Sequence, residues 1–258
     1  MDLCLRCGWG EVVWSDGRHL VKSFGIVRLG GIALILGALA FMAVFAFLAV
    51  RFDYPAVLDG PASSVLPALL ATGPTGRAVW ALYGFLPLIW LPAGVGAYRA
   101  LRASHPGAML LALQCAMLSA ISMMLGLLRW PTLHWRLAEL YVSADPGQRQ
   151  VLGATFDGLN VYLGNYLGEF LGELSCSTFF VLSGWALLRS RTTPRWIAAG
   201  GLVTGFLGWV GMFRNLTTAV APVAAINNYL LPLWMIGLGV ILVRYRDPEL
   251  PKAQLHFP

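Results

Sequence analysis

Long runs of apolar residues, each about the length of a bilayer-spanning helix and separated by short polar segments, dominate the chain. Arg28 to Val50 carries no charge after its first residue, and Val79 to Ala97 carries none at all. Gly107 to Leu128, a segment centred on Asn160 to Leu188, Trp196 to Phe213 and Asn228 to Val243 complete a set of six. About 20 apolar residues in a helix cover the ~30 Å hydrocarbon core. The pattern therefore predicts an all-α membrane protein of six transmembrane helices, formed by residues 28–245 and flanked by tails at 1–27 and 246–258.

Shorter patterns fill the connections. RWPTLHWRLAELYVSADPGQRQ, between the third and fourth segments, places Leu133, Leu137, Leu140 and Tyr141 three and four residues apart. It reads as a short amphipathic interfacial helix, begun by Pro131, stopped by ADPG, and anchored at the headgroups by Trp130, Trp135 and Tyr141. SSVLPALLAT, after the first segment, reads as a second short helix. Pro87 and Pro92 in the second segment, and Pro232 behind Asn227 and Asn228 in the sixth, predict kinked or partly unwound helices.

Composition agrees with lipid as the solvent: 58% of the 258 residues are hydrophobic and only 12% are charged, against about 25% charged in soluble domains. Charge position adds an orientation. With the N-terminus inside, the cytoplasmic segments hold Arg6, Arg18, Lys22, Arg28, Arg99, Arg102, Arg189, Arg191, Arg195, Arg244, Arg246 and Lys252, twelve of eighteen basic residues. Both termini are thus expected in the cytoplasm. The net charge of +6 follows from this bias and from anionic headgroups, and calls for no nucleic-acid partner. The first apolar stretch is too long for a cleaved signal and is expected to act as an anchor.

Against this background LGNYLGEFLGELSCS, residues 163 to 177, stands out. Gly164, Gly168, Gly172 and Cys176 recur every fourth residue and form a row that lets helices approach closely. Asn165, Glu169, Glu173 and Ser177 form a parallel polar row. A carboxylate near the bilayer centre costs at least ~2.5 kcal/mol unless protein or water receives it, so both rows must face inward and the fourth helix is expected at the centre of the bundle. Tyr162, Tyr166, Arg129, Arg214, Asn215, Asn227 and Asn228 fall at the same depth by helix position. Together they predict an outward-facing polar cavity with Glu173 at its floor, Glu169 on its wall, and Arg214 or Arg129 as counter-charge. A buried glutamate pair that only fixes packing is the structural alternative. Gly201, Gly205, Gly208 and Gly211 in the fifth helix predict close packing against the fourth.

Other chemistry is thinly represented. Cys4 and Cys7 form a lone CxxC able to hold a soft metal or cycle as a dithiol, but a structural zinc needs four ligands and only His19 lies near. No histidine falls within a helix core, which argues against paired-histidine haem. No HExxH, GxSxG, Walker or GxGxxG pattern occurs in a suitable context, and no cofactor is expected.

RFDYPAVLDGPASSVL, LNVYLGNYLGEFLGEL and YLLPLWMIGLGVIL resemble an uncharacterised family of bacterial polytopic membrane proteins classed as a domain of unknown function, over residues 28 to 245. The resemblance implies a six- or seven-helix inner-membrane protein and supplies no activity. Three readings remain: binding or transport of a small solute, ion or proton through the cavity; a non-catalytic sensor or assembly subunit, as a homo-oligomer or with a membrane partner; and an intramembrane enzyme using the glutamates as acid and base on a lipid-soluble substrate.

Overall fold

In hydrocarbon every backbone N–H and C=O must be satisfied within the segment, so uninterrupted apolar stretches fold as helices. The computed structural model describes the backbone of residues 17–103, 105–190 and 193–246, with side chains described from residue 25 onward and for all of these but residue 59. Among the described residues, six helices are long and apolar enough to cross a membrane. They are α1 (Gly17–Phe52), α3 (Gly73–Leu101), α4 (Pro106–Ser143), α5 (Pro146–Ser190), α6 (Arg195–Asn215) and α7 (Thr218–Arg244), with the short α2 (Ala62–Ala71) between the first two. Among the described residues there is no strand. This is a multi-pass membrane protein.

The six long helices close a ring in chain order. Each packs on the next along α1, α3, α4, α5, α6 and α7, and α7 returns to α1. Outside the ring, Leu36, Leu39, Leu82, Phe85, Leu110, Val203 and Phe206 are exposed, an apolar surface suited to lipid. Inside, two clusters are buried. One gathers Leu34, Trp90, Met109, Phe179, Phe180 and Leu238. The other gathers Phe52, Leu66, Trp80, Trp130, Trp135 and Phe156 below α2 and the loop at residues 53–60.

Several element boundaries differ from the sequence expectation, each for a physical reason. Residues 135–143 form the amphipathic helix, but it continues α4 without a break. The missing N–H of Pro131 is absorbed by a π-turn over Trp130–His134, closed by His134 N donating to Arg129 O at 2.7 Å. Arg129 is consequently interior to α4 rather than at its end. The fourth span starts at Pro146, not near Asn160. Asp145 accepts from Gln148 N at 2.9 Å, Gln148 Oε1 accepts from Asp145 N at 3.2 Å, and proline occupies the first helical position, a full capping box. Asn227 and Asn228 lie inside α7, which begins upstream of them and stays helical through Pro232. Of Pro87, Pro92 and Pro232, only Pro87 disturbs its helix, tightening residues 86–89 to 3₁₀ geometry.

Close approach through small residues holds the ring. A Cβ on Gly126 of α4 would stand 2.5 Å from the Cα of Gly168 of α5, and one on Gly168 would stand 2.9 Å from the Cα of Gly126. The glycine row of α5 thus packs on α4. Gly205 and Gly208 of α6 face Ser177 on α5 as expected, while Gly201 makes room for Trp234 of α7. Gly30 and Gly31 of α1, not singled out in the sequence, seat α1 against the Pro92 carbonyl of α3 and against α7. Both glycine rows are therefore occupied within the chain.

Candidate functional site

The middle of α5 is a long π-helical stretch, Asn160–Leu171, followed directly by the α-helix Gly172–Ser190. Residues four apart share a face in either geometry, drifting one way in an α-helix and the other way in the wider π-turn. Asn165, Glu169 and Glu173 therefore stay aligned across the junction, and all three line one cavity. Residues three apart separate when the turn widens. This swings Tyr162 and Tyr166 off the polar row; they are 68% and 49% exposed on the outer surface and do not line the cavity, contrary to the sequence expectation.

The cavity occupies the ring interior, with a volume of about 750 Å³. Its two walls differ. On α5, α6 and α7 stand Asn165, Glu169, Glu173, Arg214, Asn215, Asn227 and Asn228; on α1, the 53–60 loop and α3 stand Phe41, Phe45, Tyr54, Trp80, Tyr83 and Trp90. Tyr54 and Pro55, in the connection expected to lie outside, line the cavity, as does Thr218 at the start of α7.

The polar wall is organised by one arginine. Arg214 Nη2 meets Glu169 Oε2 at 2.9 Å and its Nε donates to the same oxygen at 3.2 Å. Its Nη1 donates to Glu173 Oε2 at 3.0 Å. Asn215 Nδ2 adds a bond to Glu169 Oε2 at 2.7 Å. A planar guanidinium presents its donors as a fixed fork, so one Arg can bridge two carboxylates a turn apart where a lysine ammonium could not hold the same geometry. The side chains are 30%, 21% and 14% exposed for Arg214, Glu169 and Glu173, so the cluster borders open space rather than a sealed core. Asn227 lies beside Glu173, is buried, and leaves its Oδ1 without a hydrogen-bond partner.

Arg129, the other proposed counter-charge, has a different task. Its Nε and Nη2 donate to Asn160 Oδ1 at 3.3 and 3.0 Å and its Nη1 to the carbonyl of Gly126, while its guanidinium lies over the Trp130 ring at 5.2 Å. Asn160 in turn donates to Leu58 O at 3.2 Å and ties the 53–60 loop to α5. Gly164 is small because the Arg129 guanidinium fills the space its side chain would need. Arg129 contributes a buried positive charge beside the cavity and a structural tie across three segments.

Residues the sequence did not flag make up the aromatic wall. Tyr54 and Tyr83 share a hydroxyl contact at 3.3 Å, Trp80 stacks on Trp130 at 4.8 Å, and Phe45 meets Tyr54 edge to face at 5.2 Å. Phe41 and Phe45, four apart on α1, were the available signal, since that spacing puts two rings on one helix face. Among the described residues no group of three or more His, Cys, Asp or Glu side chains could hold a metal. The CxxC of Cys4 and Cys7 lies outside the described residues.

All three segments that carried the sequence resemblance meet at this cavity: Tyr54 and Pro55 from the first, Asn165, Glu169 and Glu173 from the second, Leu231 and Met235 from the third. The family model described as Domain of unknown function (DUF4386) matches residues 29–243. No curated protein and no solved structure matches the chain.

Proposed function

The chain belongs to this family of unknown function, and we propose that it binds or transports a small solute through the cavity between α5, α7 and the aromatic wall. One observation carries this reading: a cavity of about 750 Å³ in the middle of the ring, apolar on one side and bearing Glu169, Glu173 and Arg214 on the other. That volume lies within the ~300–1,000 Å³ of small-molecule sites, and a few placed polar groups on an apolar lining is their usual composition. It exceeds what a bare ion or proton needs, so a molecular solute fits better than an ion alone. The sensor or assembly reading draws less support, because both glycine rows are engaged inside the chain.

The basic-residue bias supports an inner-membrane placement with both termini in the cytoplasm. The loop at 53–60 and the α6–α7 connection then lie outside, and the cavity faces that side. Cysteine labelling tests this in a cysteine-free background reconstituted in vesicles. A membrane-impermeant cationic thiosulfonate added outside is expected to react with Asn228→Cys on the polar wall and not with Phe206→Cys, whose parent side chain is 53% exposed on the outer surface of α6. No reaction at Asn228→Cys from either side would remove the aqueous cavity and the binding reading with it.

A further inference from the structure

Which hydrogen-bonding atoms the cavity leaves free defines the chemistry of its occupant. The N–H groups Arg214 directs at the cluster are all engaged on Glu169 and Glu173. Those of Arg129 are engaged on Asn160 and the Gly126 carbonyl, with the residue only 4% exposed. Arg129 is closed off, and the remaining N–H groups of Arg214 lie beside two carboxylates, where an incoming anion would meet like charge. The acceptors are in surplus: Glu169 Oε2 takes three bonds while Glu169 Oε1 takes none among the described residues, and Asn227, 3% exposed at the polar wall, has an unpartnered Oδ1. Within the triad two carboxylates share one guanidinium, and the second balancing charge, Arg129, spends its donors on Asn160 and the Gly126 carbonyl. The facing wall is aromatic: Tyr54 and Tyr83 border the cavity and Trp80 stacks on Trp130 behind them, a surface that excludes water and suits an apolar body.

We infer that the solute is a lipophilic organic cation, an amine or onium group on an apolar body, whose charge sits at Glu169 and Glu173 while its body lies along the Tyr54, Trp80 and Tyr83 wall. This rests on the binding reading above and names its substrate class. Because the positive charge occupies the place of a proton on the same carboxyls, cation and proton compete for the site. The groups facing the carboxyls are Arg214 from α6, Arg129 from α4, Tyr54 from the loop, Tyr83 from α3 and Cys176 from α5. Arginine stays protonated and ordinary phenols titrate near 10, so a proton competes with the cation only at the carboxyls.

Tetraphenylphosphonium, a permanent cation with no proton of its own, is the probe, measured by equilibrium binding to the full-length protein in nanodiscs. Tetraphenylborate serves as the anionic counterpart and triphenylphosphine oxide as the neutral one. The cation is expected to bind about tenfold or more tightly than either, to tighten as pH rises from about 4 to about 8, and to lose about tenfold or more in Glu169→Gln. The pH arm uses the wild-type protein and stands whether or not the variant folds. Equal or stronger binding of the neutral or anionic probe, or a cation affinity indifferent to pH, overturns the cation inference while leaving the cavity a binding site. Failure of the cation to bind at all overturns it too, and native mass spectrometry for a retained solute then decides the binding reading separately.

Discussion

Replacing Arg214 by Met is expected to lower the apparent unfolding temperature more than any other single change in the polar wall. It leaves Glu169 and Glu173 facing each other a turn apart, with the bonds at 2.9, 3.0 and 3.2 Å gone and Asn215 still donating to Glu169. Removing one partner of a buried ion pair costs about 3–5 kcal/mol. Here the side chains keep 14–30% exposure, so solvent in the cavity screens part of that and about 2–3 kcal/mol is the fitting estimate. For a chain of this size that corresponds to a loss of roughly 5–10 °C. Adding Glu169→Gln and Glu173→Gln to Arg214→Met removes the stranded charges and is expected to recover at least half the loss. Arg214→Lys should fall between, since an ammonium cannot bridge both carboxylates with the same fork. An unchanged unfolding temperature in Arg214→Met would mean that the triad does not form.

Gly126 and Gly168 give the second large effect. A single methyl at Gly168 would lie 2.9 Å from the Gly126 Cα and 3.1 Å from the Leu163 carbonyl oxygen. Both neighbours are backbone and cannot rotate away, and because Gly126 belongs to α4, α4 and α5 must part along the seam that positions Glu169. Overpacking of this kind costs about 1–3 kcal/mol, and Gly168→Val, with two more methyls, belongs at or above the top of that range. Gly158, on the same helix, has nothing within 4 Å of its added Cβ. Gly158→Ala is expected to leave stability unchanged or raise it by up to ~1 kcal/mol, because alanine is the better helix former. Thermal unfolding of the two alanine variants in one detergent makes the comparison. Equal stability would place the α4–α5 seam elsewhere.

The two effects mark what a sequence of this kind makes legible. Spans were readable because hydrocarbon allows only helices and because charge is scarce enough for each polar residue to carry meaning. Glu169 and Glu173 announced an inward-facing row, and Arg214 was one of two arginines able to answer it. The choice between Arg214 and Arg129 was not readable, since it rests on Asn160 and the Gly126 carbonyl taking the donors of Arg129. Tyr162 and Tyr166 were misplaced for a related reason: an α-helical register sets them near Asn165 and Glu169, whereas the π-helical stretch over Asn160–Leu171 turns them outward. The start of α5 was legible in principle, because DPGQ contains the acid, the proline and the glutamine of a capping box. It was read as a stop because the fourteen residues from Pro146 to Leu159 are too polar to look like part of a span. The aromatic wall came from segments far apart in sequence, and only the closed ring brings Tyr54, Tyr83 and Trp80 opposite the polar row.

That opposition of an aromatic wall to a charged one is the central claim, and occupancy by a small molecule tests it most directly. Native mass spectrometry of the protein, extracted in mild detergent from membranes that contain its ordinary solutes, is expected to show a population heavier than the chain by one discrete small-molecule mass beyond any lipid ladder. That population should disappear in Glu169→Gln with Asn215→Leu, two changes that strip the polar wall of its grip without altering the glycine seams. A wild-type spectrum carrying only lipid adducts, the same as in the variant, would contradict the account and leave the glutamates as packing residues.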